Sequence, residues 1–482
     1  LQCVSVMNRP SGTKHGEFFE KNPRVSERPI ADFVVSERRN LTRTVSSPMF
    51  LILSFVILKS VGTVCLMTPF AHHEGSFGGF LNALFTATSA VTVTGLVVVE
   101  TSTNWTFAGQ LIIAILMFVG GLGFMSLAAF LLTVLGQRVS MAQSLLIRET
   151  FSREQLGGIQ RLSVAIVLTA VSIQIVGFIA FFARFIFIYE PGEALWQALF
   201  LAVSGFNNAG IFIFPDEAGM LAYQEDFVTL AILGVLILLG TLSFWVVSDL
   251  VMKRKFRLYS LVTKIVVIMT IFLVILAAFV IYLSEGSNEL TLGHLSVPQK
   301  IAVSLFEGIS GRTAGFTTIN YEFARPATDL FMSLMMFVGG ATASVAGGIK
   351  VTTFCIIIIR IYILIRERTY LTAFGREIDQ LTIRRSYAIL VISIGFVFLC
   401  TLGLAITNSA IPLRDIMFES FSGYGTVGLS TGITAQLNPF GQLIVILTML
   451  VGRVGPLIIG LKMVPNKDVN HYRKAVEAVT IG

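Results

Sequence analysis

Charge is scarce in this sequence. Asp, Glu, Lys and Arg make up 13% of its 482 residues, about half the ~25% usual in a soluble domain. A chain so poor in charge cannot clothe a water-facing surface of its own size, which excludes a soluble globular protein. Cysteine is scarcer still. The four, Cys3, Cys65, Cys355 and Cys400, are scattered, so there is neither a disulfide framework nor the paired spacing of a zinc site. The five histidines, His15, His72, His73, His294 and His471, form no HExxH pair and join no carboxylate cluster at membrane depth, which removes the usual ground for a multispan metalloenzyme. His72-His73-Glu74 reads as a solvated loop. The first 47 residues lack an apolar core and read as a polar cytoplasmic tail without a cleavable signal. What the sequence does have is hydrophobicity: 54% of its residues, gathered into runs long enough to cross a bilayer. The fold class expected is an all-α polytopic membrane protein.

The runs repeat. FLNALFTATSAVTVTGL begins at Phe80, LWQALFLAVSGFNNAGI at Leu195, IAVSLFEGISGRTAGFT at Ile301 and LRDIMFESFSGYGTVGL at Leu413. Each carries a phenylalanine (Phe85, Phe200, Phe306, Phe418), a serine four residues later (Ser89, Ser204, Ser310, Ser422) and then a glycine: Gly95, Gly210, Gly315, Gly428. The third glycine arrives one residue early. Each apolar stretch is too short to span a bilayer and ends in a small polar loop. A half-length helix followed by such a loop is how cation filters are built, with backbone carbonyls replacing the ion's water. The candidate filter carbonyls are those of Thr92, Val93, Thr94 and Gly95; Asn207, Asn208, Ala209 and Gly210; Arg312, Thr313, Ala314 and Gly315; and Gly425, Thr426, Val427 and Gly428. Side chains differ between copies while the glycine recurs, as expected if backbone oxygens alone hold the ion; no other metal site is expected.

Full spans flank each loop, so the chain divides into a tail (1–47), four pore units (48–136, 160–252, 262–360 and 386–464) and a C-terminal tail (465–482). This predicts eight transmembrane helices and four re-entrant half-helices around a pseudo-fourfold pore. The closing spans align as FVGGLGF from Phe118, LLGTLSF from Leu238, FVGGATASVAGG from Phe337 and LVGRVGPL from Leu450. Lys253-Arg254-Lys255-Phe256-Arg257 and the other linkers between units are basic, while the loops on the opposite side are mostly acidic. By the positive-inside bias both termini are cytoplasmic. Topology accounts for the net charge of +7, and no nucleic-acid partner is needed to explain it.

Two features suggest a gate. Gly339 to Gly348 interrupts the third closing span with small residues, and Gly339, Gly340, Ala341, Thr342, Ala343, Ser344, Gly347 and Gly348 are read as an unwound loop below the filter. Glycine costs ~1 kcal/mol per helical position relative to alanine. Arg453 lies in the middle of the fourth closing span, where a charge is expensive and usually functional. It is expected to oppose cations and to hydrogen-bond carbonyls of that loop. Arg312 is expected to point away from the ion and pair with a buried carboxylate, Glu307 or Glu419.

With TVTGL at Thr92, FNNAG at Phe206, GRTAGF at Gly311, YGTVGL at Tyr424, GGATASVAGGIK at Gly339 and GRVGPL at Gly452, the chain resembles the Trk/Ktr/HKT superfamily of potassium transporters over residues 48 to 482. It is most similar to the bacterial KtrB-type membrane subunit. Gly240-Thr241-Leu242-Ser243-Phe244 departs from the GGIGF toward which that family tends. The resemblance implies K+ uptake through a single-chain pore, with Na+ a candidate activator. It also implies a homodimer in the bacterial plasma (inner) membrane and a cytoplasmic ring of RCK-type nucleotide-binding regulatory subunits. Nucleotide is expected on that partner only, with no cofactor in this chain and no enzymatic activity. A Na+ or mixed monovalent-cation transporter is the alternative. A multispan enzyme and a Na+-coupled solute carrier stay open as other classes; the carrier would need inverted repeats, and these four run in one direction.

Overall fold

The computed structural model describes residues 47–73, 75, 77–123, 159–215, 219–367 and 371–462. The expected tails, the end of the first unit beyond Gly123, and Glu74 lie outside the described residues. Helices α1 (Ser47–Leu66), α2 (Phe80–Thr92) and α3 (Phe107–Leu122) belong to the first unit. Then come α4 (Ile159–Phe185), α5 (Pro191–Phe206), α6 (Phe227–Thr241) and α7 (Phe244–Met252). The third unit comprises α8 (Leu261–Glu285), α9 (Val297–Thr313), α10 (Pro326–Phe337) and α11 (Val351–Ile365). The fourth comprises α12 (Gln380–Thr407), α13 (Leu413–Gly425) and α14 (Pro439–Lys462). A two-residue hairpin pairs β1 (Thr372–Ala373) with β2 (Arg376–Glu377). Phe374 and Gly375 both have positive φ at its tip, as a tight two-residue hairpin turn demands.

The helix starts are written locally. Thr106 accepts from Gly109 N at the head of α3, Ser260 from Thr263 N at α8, and Asp226 from Val228 N and Thr229 N at α6. Pro191 and Pro326 sit in first turns, where a missing N–H leaves no intrahelical bond unmade. The outward faces of the long helices are apolar and exposed: Val176 and Ile179 on α4, Ile271 and Phe272 on α8, Phe398 and Leu399 on α12. Apolar surface on this scale, on helices that satisfy their own backbone, is that of a polytopic all-α membrane protein.

Among the described residues, Ser163–Phe185, Leu261–Glu285, Gln380–Thr407 and Pro439–Pro456 are long and apolar enough to cross a bilayer. One closing span differs from the continuous helix that its sequence suggests, and another is interrupted as its composition implies. In the second unit α6 and α7 are bent by 104° across Leu242 and Ser243. In the third, α10 and α11 are separated by the glycine-rich stretch, with Val338 and Ile349 bridging its neck.

The four repeat phenylalanines wedge each short helix against the preceding unit. Phe85 of α2 is buried with Leu404, Ile416 and Val445 of the fourth unit. Phe200 of α5 is buried with Ala83, Ala87 and Ile113 of the first. Phe306 of α9 packs over Gly234 of the second. Phe418 of α13 meets Tyr321 of the third, ring centroids 5.2 Å apart. Neighbouring units therefore pack in cyclic order and the fourth closes on the first. Arg414 at the head of α13 adds an ion pair to buried Asp329 of α10, 2.7 Å away.

Candidate functional site

Each short helix hands over to its loop through the repeat serine. In the first copy Thr94 N donates to Ser89 O (2.9 Å) and Gly95 N to the Ser89 hydroxyl (3.0 Å). In the fourth, Val427 N donates to Ser422 O (3.0 Å) and Gly428 N to the Ser422 hydroxyl (3.1 Å). In the second and third copies the hydroxyl turns round and donates to the carbonyl just past the glycine: Ser204 to Ile211 O (2.5 Å), Ser310 to Phe316 O (2.6 Å). That shared contact fixes the register of the third copy, and Gly315 stands where Gly210 does. The missing residue is absorbed at the helix end. Val93, Asn208 and Thr426, each two before its glycine, are left-handed (φ 50, 55 and 50). The corresponding Thr313 is still helical, so Arg312 and Thr313 sit in the last turn of α9 and not in a free loop. Thr92 and Gly425 likewise end α2 and α13, and Asn207 caps α5. Carbonyls in a last helical turn have no i+4 donor and stay available. β-Branched Val93 and Thr426 in the left-handed region store local strain, a frequent mark of functional loops.

The four glycines form a closed ring. All have φ between 69 and 98, a region a side chain disfavours. A methyl on Gly95 would overlap Ala209 O; on Gly210, Ala314 O; on Gly315, Val427 O; and on Gly428, Thr94 O. Each loop thus leans on the next, and the fourth returns to the first. All sixteen sequence-predicted filter residues belong to these four segments. A second tier lies behind three of them. Gly120 of α3, Gly240 of α6 and Gly452 of α14 abut Val91 O, Phe206 O and Tyr424 O, the carbonyls four before each ring glycine.

Gly339 to Gly348 is unwound, as read from its composition. Gly339 N donates to Ile349 O (2.9 Å) and Ile349 N to Phe337 O (3.2 Å), closing the neck. Beyond the neck the loop bonds to other units. Ala341 N donates to Thr241 O (3.1 Å), Val345 N to Gly240 O (3.4 Å) and Gly348 N to Gly452 O (3.2 Å). A methyl on Gly347 would strike the side chain of Thr426 in the fourth filter segment. The Thr342 hydroxyl pairs with Thr352 (2.9 Å), and Ala343 is left-handed. The Arg453 guanidinium donates to Val345 O in this loop and to Gly120 O at the end of α3 (2.9 Å). The ammonium of Lys350, a residue not singled out from sequence, donates to the adjacent carbonyl, Ala346 O. Its place directly after GGI was the available signal. Arg453 and Lys350 therefore hold consecutive carbonyls of one loop.

Arg312 does not pair with either carboxylate proposed for it. It is buried, with Nε and Nη1 unpartnered. Glu307 instead accepts from Thr318 N (2.6 Å) and from the hydroxyls of Thr317, Thr318 and Tyr321. Glu419 accepts from Ser430 and Thr434. Each carboxylate thereby clamps the segment leaving its own ring glycine. His72 is also not solvated: it is buried, Nε2 lies 2.9 Å from Leu66 O, and its ring lies 4.5 Å from that of Trp105. Among the described residues no His, Cys, Asp or Glu cluster is arranged to hold a metal ion. The chemistry on offer is a ring of backbone carbonyls.

A family model described as TrkH, cation transport protein, matches residues 33–472. The chain is 36% identical to the Ktr system potassium uptake protein B of Bacillus subtilis, across 85% of this chain and 91% of that protein. It is 31% identical to the potassium/sodium uptake protein NtpJ of Enterococcus hirae, across 92% and 99%. The crystal structure of the potassium transporter TrkH from Vibrio parahaemolyticus shares the fold, with a TM-score of 0.68 over 89% of this chain and 86% of that one at 18% identity. The chain belongs to the TrkH family of cation transport proteins, within the Trk/Ktr superfamily, and is KtrB-like.

Proposed function

We propose that the chain is a K+ uptake subunit that conducts K+ through one path, with the sixteen residues of the four ring segments as its filter and residues 339–348 with Arg453 as its gate. The observation carrying this reading is the closed ring of four glycine segments from one polypeptide. Hard oxygen ligands at a ring of backbone carbonyls suit an alkali cation. The relatives' names, potassium uptake and potassium/sodium uptake, support K+ over an unrelated solute. In this reading units 48–136, 160–252, 262–360 and 386–464 each cross the bilayer twice around a re-entrant half-helix, eight crossings in all. Both termini and the basic linkers are cytoplasmic, and the protein resides in the bacterial plasma membrane as a homodimer. An RCK-type ring that binds nucleotide docks on the cytoplasmic side, Na+ acts as activator, and the chain itself carries no cofactor.

The purified chain in proteoliposomes tests this with K+, Rb+ and Na+ gradients, each measured with and without Na+ on the uptake side. The expected order is K+ close to Rb+ and well above Na+. Na+ flux equal to K+ flux would replace the K+ reading with that of a mixed monovalent-cation transporter. No cation flux through correctly inserted protein would overturn both.

A further inference from the structure

The residue that follows the aligned glycine of the closing spans (Gly120, Gly240, Gly339 and Gly452) is not the same in all four. Gly121 and Gly340 carry no side chain, the fourth unit has Arg453, and the second unit has Thr241. Thr241 ends α6 at the 104° bend and is buried, as are Asn208 and Thr313. Asn208 belongs to the second ring segment and Thr313 to the third. The Thr241 hydroxyl lies 2.8 Å from the Asn208 amide and 3.1 Å from the Thr313 hydroxyl. One orientation of that amide gives each of its atoms a partner, while the Thr241 hydroxyl also has Ile237 O at 2.8 Å as an acceptor. The amide oxygen accepts from Thr241 (2.8 Å) and Thr313 (3.3 Å), and the amide nitrogen donates to Gly205 O (3.1 Å) and Ile237 O (3.2 Å). The backbone at Thr241 meets the glycine-rich loop: Thr241 O accepts from Ala341 N, and Gly240 O from Val345 N. Val345 O is the carbonyl that Arg453 holds.

We propose that Thr241 is a positioning residue that couples the glycine-rich loop to the second and third filter segments, so that the state of the loop changes ion affinity at the ring. Its carbonyl senses the loop and its hydroxyl sets Asn208 and Thr313. Where the other units have glycine at this position, no side chain is present to make such a link. The inference rests on the K+ path proposed above, and it adds a specific route between gate and filter. Buried, fully satisfied amide–hydroxyl networks have one well-defined arrangement, which is what transmission of a small displacement requires.

A thermodynamic cycle tests it on the full chain in proteoliposomes, with K+ half-saturation as the readout. Releasing the loop by Arg453→Gln in the parent is expected to shift K+ half-saturation by about fivefold, the lower end of coupling between sites. In a Thr241→Val background, which keeps the branched shape and removes the hydroxyl, the shift is expected to vanish. In Thr241→Ser it is expected to return. Thr241→Ala serves if the valine variant does not insert. An equal shift in all backgrounds, or none in the parent, would overturn the coupling. A parent that carries no K+ would instead overturn the proposed function.

Discussion

Arg453→Gln is expected to raise maximal K+ flux by about tenfold while leaving the K+ to Na+ flux ratio close to that of the parent. The guanidinium does two things that both oppose flux. In the proposed reading its charge lies at membrane depth beside the path. Two unit charges ~6 Å apart at an effective dielectric of 20 repel by roughly 3 kcal/mol. About half of that, after screening by cavity water, is a tenfold rate. Its donors also tether the glycine-rich loop, since Val345 O and Gly120 O, on different units, both bind to it. Glutamine removes the charge and one arm of the bridge. Arg453→Lys is expected to fall between the two, because the charge stays and the planar fork is lost. Uptake in a host that depends on supplied K+, alongside surface expression, is the measurement. A glutamine variant that inserts normally and conducts less than the parent would show that Arg453 supports the structure and is no barrier.

The second large effect is expected at the ring. Gly315→Ser should worsen K+ half-saturation at least tenfold and raise Na+ entry relative to K+. Two penalties add there. A φ of 74 strains any side-chain-bearing residue, at about 1–3 kcal/mol. The new Cβ would also overlap Val427 O of the next segment, which would have to move. Gly210, Gly428 and Gly95 meet the same obstacle against Ala314 O, Thr94 O and Ala209 O and should respond alike. Gly432 is the control: its φ is 91, but nothing lies within 4 Å of an added Cβ, so Gly432→Ala should change selectivity little. Rb+ uptake with Na+ competition reads this out. Parent-like selectivity in all four serine variants would remove the ring from the conduction path.

Much of this site could be read from sequence because cyclic packing imposes the same contacts four times. A phenylalanine must wedge against the preceding unit, a serine must tie the loop, and a glycine must let the next loop approach. Phe85, Ser89 and Gly95 therefore have counterparts at fixed steps. The unwound loop was legible in a run of residues too small to pack a helix. The break after Thr241 was not, because Leu242 and Ser243 contain no helix breaker and the apolar run reads as continuous. The cause is tertiary. Gly240 O and Thr241 O give their lone pairs to amides of a loop one hundred residues away in sequence, and the helix turns where they do. The sequence suggests a carboxylate partner for Arg312 because it shows charges. It does not show that Thr317, Thr318, Ser430 and Thr434 reach Glu307 and Glu419 first. His72 looks solvated in the sequence because its burial depends on Trp105, thirty-three positions on.

The four segments are proposed to encircle a single cation path. This is tested most directly by determining the structure of the full chain in Rb+ or Tl+ and locating the ion from its anomalous signal. A peak is expected on the axis of the ring, bounded by the segments that contain Thr94, Ala209, Ala314 and Val427, and its loss is expected in Gly315→Ser. A peak elsewhere in the chain with none on that axis would contradict it.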